Sequence, residues 1–223
     1  MHFPDFFDEA PTVRVRDPLA QLLGASVDGV MEYRYADAVR LTGHSCPTVA
    51  GAFLTGRAAL TALYPDTLPE RGGVAVQMPA PENDGTTGVI AQVLTLLTGA
   101  AADGGFKGLG GRFARNGLLD FAEDPKIGEG VVRFERLDTG TAVAVGFNAH
   151  TVPMDVAQQQ RLMAVIQGDA DTEELVVFAG AWQDRVCRLL LEHADDPETV
   201  RVTELAAGGG TAVVSAGGGQ PQP

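Results

Sequence analysis

The sequence predicts an α+β fold, in which a mixed or antiparallel sheet packs against several helices. A long helical pattern begins at Pro47. Two strand-like segments, 131–136 and 141–147, are joined by a turn that contains Asp138 and Gly140, which is typical of a β-hairpin. Helices and strands otherwise alternate without the regular strand–helix–strand repeat of a parallel sheet, and this favours the α+β class.

The N-terminal part of the chain contains prolines and charges of both signs. We expect residues 1–30 to form an irregular lead-in with one short helix near Leu19–Leu23. The next predicted helix covers Tyr33–Leu41 and ends at Gly43, because glycine is the usual residue just after a helix. From 31 to 207 we expect one α+β domain whose C-terminal part is a helical extension.

The long helix starts at Pro47, since a proline at the first helical position loses no hydrogen bond. It is predicted to end near Leu63, because the residue before Pro65 is pushed out of the helical region. Apolar spacing and turn residues further predict a strand at 73–78, helices at 88–98, 152–166 and 173–193, and an edge strand at 200–205. The tail at 208–223 is rich in Gly, Gln and Pro and is expected to be flexible.

Composition limits the classes of partner. The formal net charge is −13, from 16 basic and 29 acidic residues. No basic stripe is present that would neutralise phosphates, so no nucleic-acid partner is expected. No apolar run reaches the length of a membrane span, so no membrane partner is expected. The N-terminus lacks the pattern of a signal peptide, and the two cysteines, Cys46 and Cys187, lie far apart and make no disulfide framework. We therefore expect a cytoplasmic protein with reduced thiols.

The sequence Gly-His-Ser-Cys-Pro at 43–47 is the strongest indication of function. With Pro47 at the first helical position, Cys46 is predicted to be the N-cap and His44 to lie just before it. The unpaired N–H groups and the positive dipole end of a helix favour a thiolate there. An imidazole held next to a thiolate suits a borderline-soft metal ion or thiol chemistry. His150, which follows the second hairpin strand, is a further candidate because such connections often carry site residues.

Four blocks of sequence occur in a defined order: Gly43–Pro47, Glu82–Asp84, Gln92–Thr95 and Gly105–Gly108. With this order and spacing, residues 36–121 resemble the core of the FmdE-like family, which comprises one component of formylmethanofuran dehydrogenases and its stand-alone relatives. The resemblance implies a metal-binding protein, in which the His and Cys of the first block are joined by further cysteines. The chain from about 124 onward lies outside the resemblance.

The chain departs from the family at two of these further cysteines. Relatives have a cysteine shortly after Glu-Asn-Asp, where this chain has Gly85–Thr87, and a Thr-Gly-Cys sequence, where it has Thr98–Ala100. Two sulfur ligands are therefore missing, and the remaining His and Cys fall short of a closed four-coordinate zinc site. The open shell favours a site that exchanges ligands over a structural one.

The expected metal ligands are His44 and Cys46, with His150 as the candidate third ligand and Asp84, Glu82 or a second protein chain as alternatives. The residues expected to hydrogen-bond the ligands from behind are Glu82, Asn83 and Asp84. Zinc is the first expectation for the ion, and copper, iron or a haem-type cofactor are alternatives.

The glycine-rich segment 104–112 and its neighbourhood carry a local cluster of cations in an acidic chain. Its members are Lys107, Arg112 and Arg115. Backbone N–H groups of such a loop can hold an anion, so a small anionic ligand is expected here. The segment matches neither a P-loop nor a dinucleotide fingerprint, because it lacks the Gly-Lys-Ser/Thr ending and the third glycine.

Three functions remain open from the sequence. The first is a metal- or metallocofactor-binding protein of FmdE-like type that acts as a carrier, sensor or accessory factor. The second is an enzyme in which Cys46 is a thiolate nucleophile or redox thiol, His44 is its base and the cationic loop holds an anionic substrate. The third is a structural interaction protein whose metal site has decayed. A homodimer is expected, because a site completed across a two-fold axis would explain the missing ligands.

Overall fold

The computed structural model describes residues 2–121 and 130–206. The helices are α1 (Phe6–Glu9), α2 (Pro18–Leu22), α3 (Tyr35–Thr42), α4 (Pro47–Leu63), α5 (Thr87–Thr98), α6 (Val156–Gln167) and α7 (Thr172–Leu191), with a 3-10 turn at Ala149–Thr151. The strands are β1 (Val13–Arg16), β2 (Val30–Tyr33), β3 (Val74–Gln77), β4 (Leu119–Asp120), β5 (Val131–Arg136), β6 (Ala142–Phe147) and β7 (Val200–Leu205). The tail at 208–223, expected to be flexible, lies outside the described residues.

Five strands form one mixed sheet in the order β4-β3-β5-β6-β7. β3 and β4 are parallel, and the other neighbours are antiparallel. The predicted hairpin is β5–β6, where Phe134 lies opposite Val143 and Val132 opposite Val145. All four side chains are buried, because residues two apart on a strand share one face of the sheet. The prediction of an α+β fold with a mixed sheet and a long helix from Pro47 is confirmed.

The helix α4 lies at the centre of the fold and contacts α5, α7 and the strands β6 and β7. Small side chains allow these close contacts. A Cβ atom at Gly51 would lie 2.4 Å from the ring of Phe147 at the end of β6, so only glycine lets this ring pack against the helix backbone. As a result, the end of β6 and the 3-10 turn that follows lie beside the first turns of α4.

The first thirty residues are more regular than the sequence indicated. β1 and β2 form a separate antiparallel pair, with Val13 opposite Tyr33. Val13 and Val15 are buried while the arginines that follow each of them are exposed, which is the alternation of a half-buried strand. A run of only four residues is too short to stand out in the sequence. The helix α2 lies where a short helix was predicted, and Asp17 is its N-cap.

Helix boundaries shift where a cap or a strand intervenes. The helix predicted from 152 begins at Val156 instead, because the Asp155 side chain accepts a first-turn hydrogen bond as part of a capping box. The helix predicted from Tyr33 begins at Tyr35, because β2 continues to Tyr33. The helix predicted over 173–193 covers Thr172–Leu191, and Asp171 is its N-cap.

The helices α6 and α7 contact each other, and α7 also packs against α4 and α1. α6 has no buried residue, and the buried side chains of α7 begin at Val186. Within the described ranges, no helix combines the length and the apolar character needed to cross a membrane.

Candidate functional site

The turn between α3 and α4 has the backbone geometry that the sequence predicts. Gly43 ends α3 in the left-handed conformation, with φ 78°, and Cys46 is the extended N-cap of α4. The Val49 N–H donates a hydrogen bond of 3.5 Å to the Cys46 sulfur. His44 is exposed, and its Nδ1 lies 3.0 Å from the carbonyl oxygen of Thr42. The sulfur therefore lies at the N-terminal end of a long helix, which is the positive end of the helix dipole.

Ser45, between the two candidate ligands, is held by α7. Its carbonyl oxygen accepts hydrogen bonds from Trp182 Nε1 at 3.1 Å and from Gln183 Nε2 at 3.2 Å. Its hydroxyl donates to Gln183 Oε1 at 2.9 Å and lies 2.9 Å from the Tyr35 hydroxyl. The single hydrogen of the Ser45 hydroxyl goes to Gln183, so the Tyr35 hydroxyl donates to Ser45. Burial raises the pKa of Tyr35, so the phenol remains protonated. These hydrogen bonds fix the orientation of the His-Ser-Cys turn.

Sequence reasoning missed these supporting residues. Trp182 and Gln183 are 137 and 138 positions away from Ser45 in the chain. A helix that carries Trp and Gln side by side gives no local indication of its partner. Tyr35 lies in a predicted helix and carries no local signal of a role, since a buried tyrosine is most often part of the core.

The candidate third ligands do not join His44 and Cys46. Among the residues that the structure describes, no three His, Cys, Asp or Glu side chains come close enough together to hold a metal ion. His150 lies in the 3-10 turn after β6, at the rim of a cavity of about 310 Å³ that also touches Pro47 and Thr48 of α4. One chain therefore offers two candidate ligands at the turn, and His150 borders a cavity that neither of them lines.

The loop of Glu82, Asn83 and Asp84 connects β3 to α5 and is exposed. Glu82 borders a different cavity, of about 280 Å³, together with Leu41 at the end of α3. The Asp84 carbonyl oxygen accepts a hydrogen bond from the Thr87 N–H at the start of α5. None of the three side chains hydrogen-bonds His44 or Cys46 in the described part of the chain. No contact in that part therefore supports their predicted role.

The three predicted anion-binding cations are in different environments. Lys107 and Arg112 are exposed, and Arg112 stacks over the ring of Phe113 at 4.8 Å. Arg115 is only 7% exposed, and its Nη2 donates to Asp17 at 2.8 Å. Arg115 therefore forms an ion pair with an internal carboxylate. The sequence did not indicate this ion pair, because Asp17 is 98 positions away.

Asp17 is the centre of a buried ion-pair network. It accepts from Arg115, from Arg71 Nη1 at 3.0 Å, and from the Leu19 and Ala20 N–H groups of α2. Burial by itself raises the pKa of Asp17, but the hydrogen bond from Ala20 and the two guanidinium groups outweigh it and hold the pKa below its usual value. The network links the N-terminal segment to the glycine-rich loop, which is a structural role.

No family model matches this chain, and no curated protein matches its sequence.

Proposed function

We propose that this protein binds a transition metal ion, with zinc as the first candidate, through His44 and Cys46, and that it acts as a carrier, sensor or accessory factor of FmdE-like type. The observation that carries the proposal is the geometry of the turn. A half-buried sulfur caps a long helix two residues after an exposed histidine, and imidazole and thiolate are the preferred ligands of zinc.

The rigidity of the turn supports a binding role. Ser45 engages its carbonyl and hydroxyl groups with Trp182, Gln183 and Tyr35, so the two ligands need little ordering when an ion binds. Ligands that are already positioned bind more tightly, because less conformational entropy is lost.

The missing ligands are expected from a second copy of the chain. Two turns related by a two-fold axis would supply two imidazoles and two thiolates, which is a common tetrahedral zinc shell. A homodimer is supported by the apolar side chains that α6 and α7 leave exposed. Val156 is 69% exposed, Ile166 68% and Val176 68%, and such surfaces are typical of protein interfaces.

The test is elemental analysis of the purified protein, together with its association state. A site shared by two copies predicts about one ion per two chains, and a site completed by small molecules predicts about one ion per chain. His44→Ala and Cys46→Ser should each abolish binding. The matched control is Cys187→Ser, which removes the other thiol of the chain and should leave the stoichiometry unchanged. Metal binding by both turn variants at the level of the parent would overturn the proposal.

Thiol chemistry at Cys46 is a second candidate, favoured by the hydrogen bond that the Val49 N–H donates to the sulfur. It predicts rapid, stoichiometric alkylation of Cys46 by iodoacetamide in metal-free protein. Cys187 is the internal reference, because burial and the nearby Asp184 raise the pKa of its thiol and should slow its reaction. Alkylation of Cys46 no faster than that of a free cysteine would remove this candidate.

A further inference from the structure

A third cavity lies between the loop before β3 and the end of the glycine-rich segment. Three arginines border it, and they are Arg71, Arg112 and Arg115; we call it the arginine cavity. Its volume of about 310 Å³ is at the lower end of the range for small-molecule sites. Three guanidinium groups around one cavity are unexpected in a chain with a net charge of −13, and they produce a local positive potential that attracts anions.

Two of the three guanidinium groups are held next to each other by Asp17. Arg71 Nη1 lies 3.0 Å from one carboxylate oxygen of Asp17, and Arg115 Nη2 lies 2.8 Å from the other. Arg71 is fixed further by hydrogen bonds to the carbonyl oxygens of Thr95 and Leu96. Asp17 is not among the residues that border the cavity, so it neutralises these cations from outside the cavity.

The protein does not fully satisfy Arg115. The residue is only 7% exposed, and its Nε is the one buried side-chain nitrogen or oxygen that lacks a hydrogen-bond partner in the described part of the chain. Burial lowers the pKa of Arg115, and the charge of Asp17 does not reverse this effect. Buried charges are normally paired and hydrogen-bonded. Negative charge in the cavity would therefore offset a desolvation cost that the described groups leave in place.

Arg112 is exposed, and its side chain forms no ion pair with any residue that the structure describes. Its backbone is held in a tight turn, because Leu109 and Arg112 exchange two hydrogen bonds, of 2.8 and 3.0 Å, across Gly110–Gly111. Both glycines have positive φ, as such two-residue turns require. The guanidinium group lies over the Phe113 ring at 4.8 Å. Arg112 is therefore positioned at the cavity with its charge unpaired.

Charge and shape together specify the class of ligand. Glu70 is the one acidic residue among the described residues that border the cavity. With Asp17 included, three guanidinium groups are balanced by two carboxylates, so a ligand with a single negative charge completes the balance. Pro18, Phe113 and Ala114 add apolar surface to the lining. A planar, singly charged carboxylate on an apolar body fits these surroundings, because guanidinium groups bind carboxylates in a bidentate manner.

We propose that the arginine cavity binds a small organic monocarboxylate. Its carboxylate pairs with Arg112 and lies in the positive field of Arg71 and Arg115, and its apolar part contacts Pro18 and Phe113. Lys107, the other cation that the sequence predicted to bind an anion, is not among the residues that border this cavity. The ligand is additional to the metal ion proposed above and does not depend on it.

The test uses benzoate as the probe and benzamide as its neutral counterpart of the same shape. Titration of the ¹⁵N-labelled protein should show saturable benzoate binding, with the largest amide shifts at 70–73 and 111–115. Benzamide should bind about tenfold more weakly, because it lacks the charge that pairs with Arg112. Inorganic phosphate should also bind more weakly, because it has no apolar part. No saturation by about 10 mM benzoate, equal binding of benzamide, tighter binding of phosphate, or largest shifts outside these two segments would each overturn the proposal.

Variants of opposite charge effect locate the carboxylate. Arg112→Gln removes an exposed, unpaired charge and should weaken benzoate binding by about tenfold. Glu70→Gln removes a like charge from the lining and should tighten benzoate binding by about threefold. The matched control is Arg201→Gln, because Arg201 is an exposed arginine on β7 that does not border the cavity, and its affinity should equal that of the parent.

The opposite signs distinguish a binding site from a general effect of substitution. Unchanged affinity in Arg112→Gln, unchanged or weaker binding in Glu70→Gln, or an equal loss in Arg201→Gln would each contradict the assigned site. Cys46→Ser should bind benzoate like the parent, and Arg112→Gln should keep the metal content of the parent. Failure of the carboxylate proposal and failure of the metal proposal are therefore recognised separately.

Discussion

Replacing Asp17 by alanine should be among the most damaging single substitutions at a polar residue of this protein. The Asp17 side chain is 5% exposed and forms ion pairs with Arg115, at 2.8 Å, and Arg71, at 3.0 Å. It also caps α2 through two first-turn N–H groups. The substitution therefore removes a helix cap and leaves the Arg115 guanidinium, itself 8% exposed, without a counter-charge.

The magnitude follows from what is left unpaired. Removing one partner of a buried ion pair costs about 3–5 kcal/mol, because the remaining charge stays desolvated. Loss of the cap alone costs about 1 kcal/mol. These effects share the same carboxylate and are not independent, so the free energy of unfolding of Asp17→Ala should fall by about 3–5 kcal/mol. Asp17→Asn, which keeps a capping oxygen but not the charge, should lose less.

Urea denaturation at pH 7, monitored by circular dichroism, measures the difference in the free energy of unfolding between the parent and Asp17→Ala. The control is Asp195→Ala. Asp195 accepts from Arg57 at 2.6 Å, but its side chain is 81% exposed, so its removal should cost less than about 1 kcal/mol. A loss below about 1 kcal/mol for Asp17→Ala would refute the reasoning, because the buried charge would then have found solvent or another partner.

The same network predicts a pH dependence. The pKa of Asp17 is lower in the folded protein than in the unfolded chain, so the ionised carboxylate stabilises the folded protein. This stabilisation is complete above the unfolded pKa of about 4 and is lost as the pH falls through the folded pKa. The stability difference between the parent and Asp17→Asn should therefore narrow in acid. A difference that stays constant through this range would show that the charge of Asp17 is not the source of the effect.

Two further predictions concern packing and the turn. Gly51→Ala should lower the free energy of unfolding by about 1–3 kcal/mol, because the new Cβ would meet the Phe147 ring. Gly180→Ala, in the middle of α7 with no atom near the added Cβ, should instead raise it by about 0.5–1 kcal/mol, and thermal denaturation of the pair should show opposite signs. Trp182→Phe removes a hydrogen bond to the Ser45 carbonyl and should weaken metal affinity with little change in helix content, as measured by competition with a chromophoric chelator. Unchanged affinity would mean that this hydrogen bond does not position the ligands.

The candidate site was predictable only in its local part. The capping role of Cys46 follows from the proline after it, because that proline can begin a helix and cannot continue a strand. The burial of Arg115 could not be predicted from the local sequence, because the glycine-rich segment before it indicates an exposed loop. It is buried because Asp17, from a distant segment, supplies the charge that makes burial tolerable.

The sequence by itself determined the α+β class, the β5–β6 hairpin, the start of α4 at Pro47 and the capping position of Cys46, because periodicity, turn residues and caps act over a few neighbouring residues. Only the tertiary structure decided that α7 hydrogen-bonds Ser45, that Arg115 is buried against Asp17, and that residues of α4, β6 and the 3-10 turn border one cavity. These features depend on which distant segment packs opposite each group. Burial and hydrogen-bond pairing are therefore settled only when the whole chain has folded.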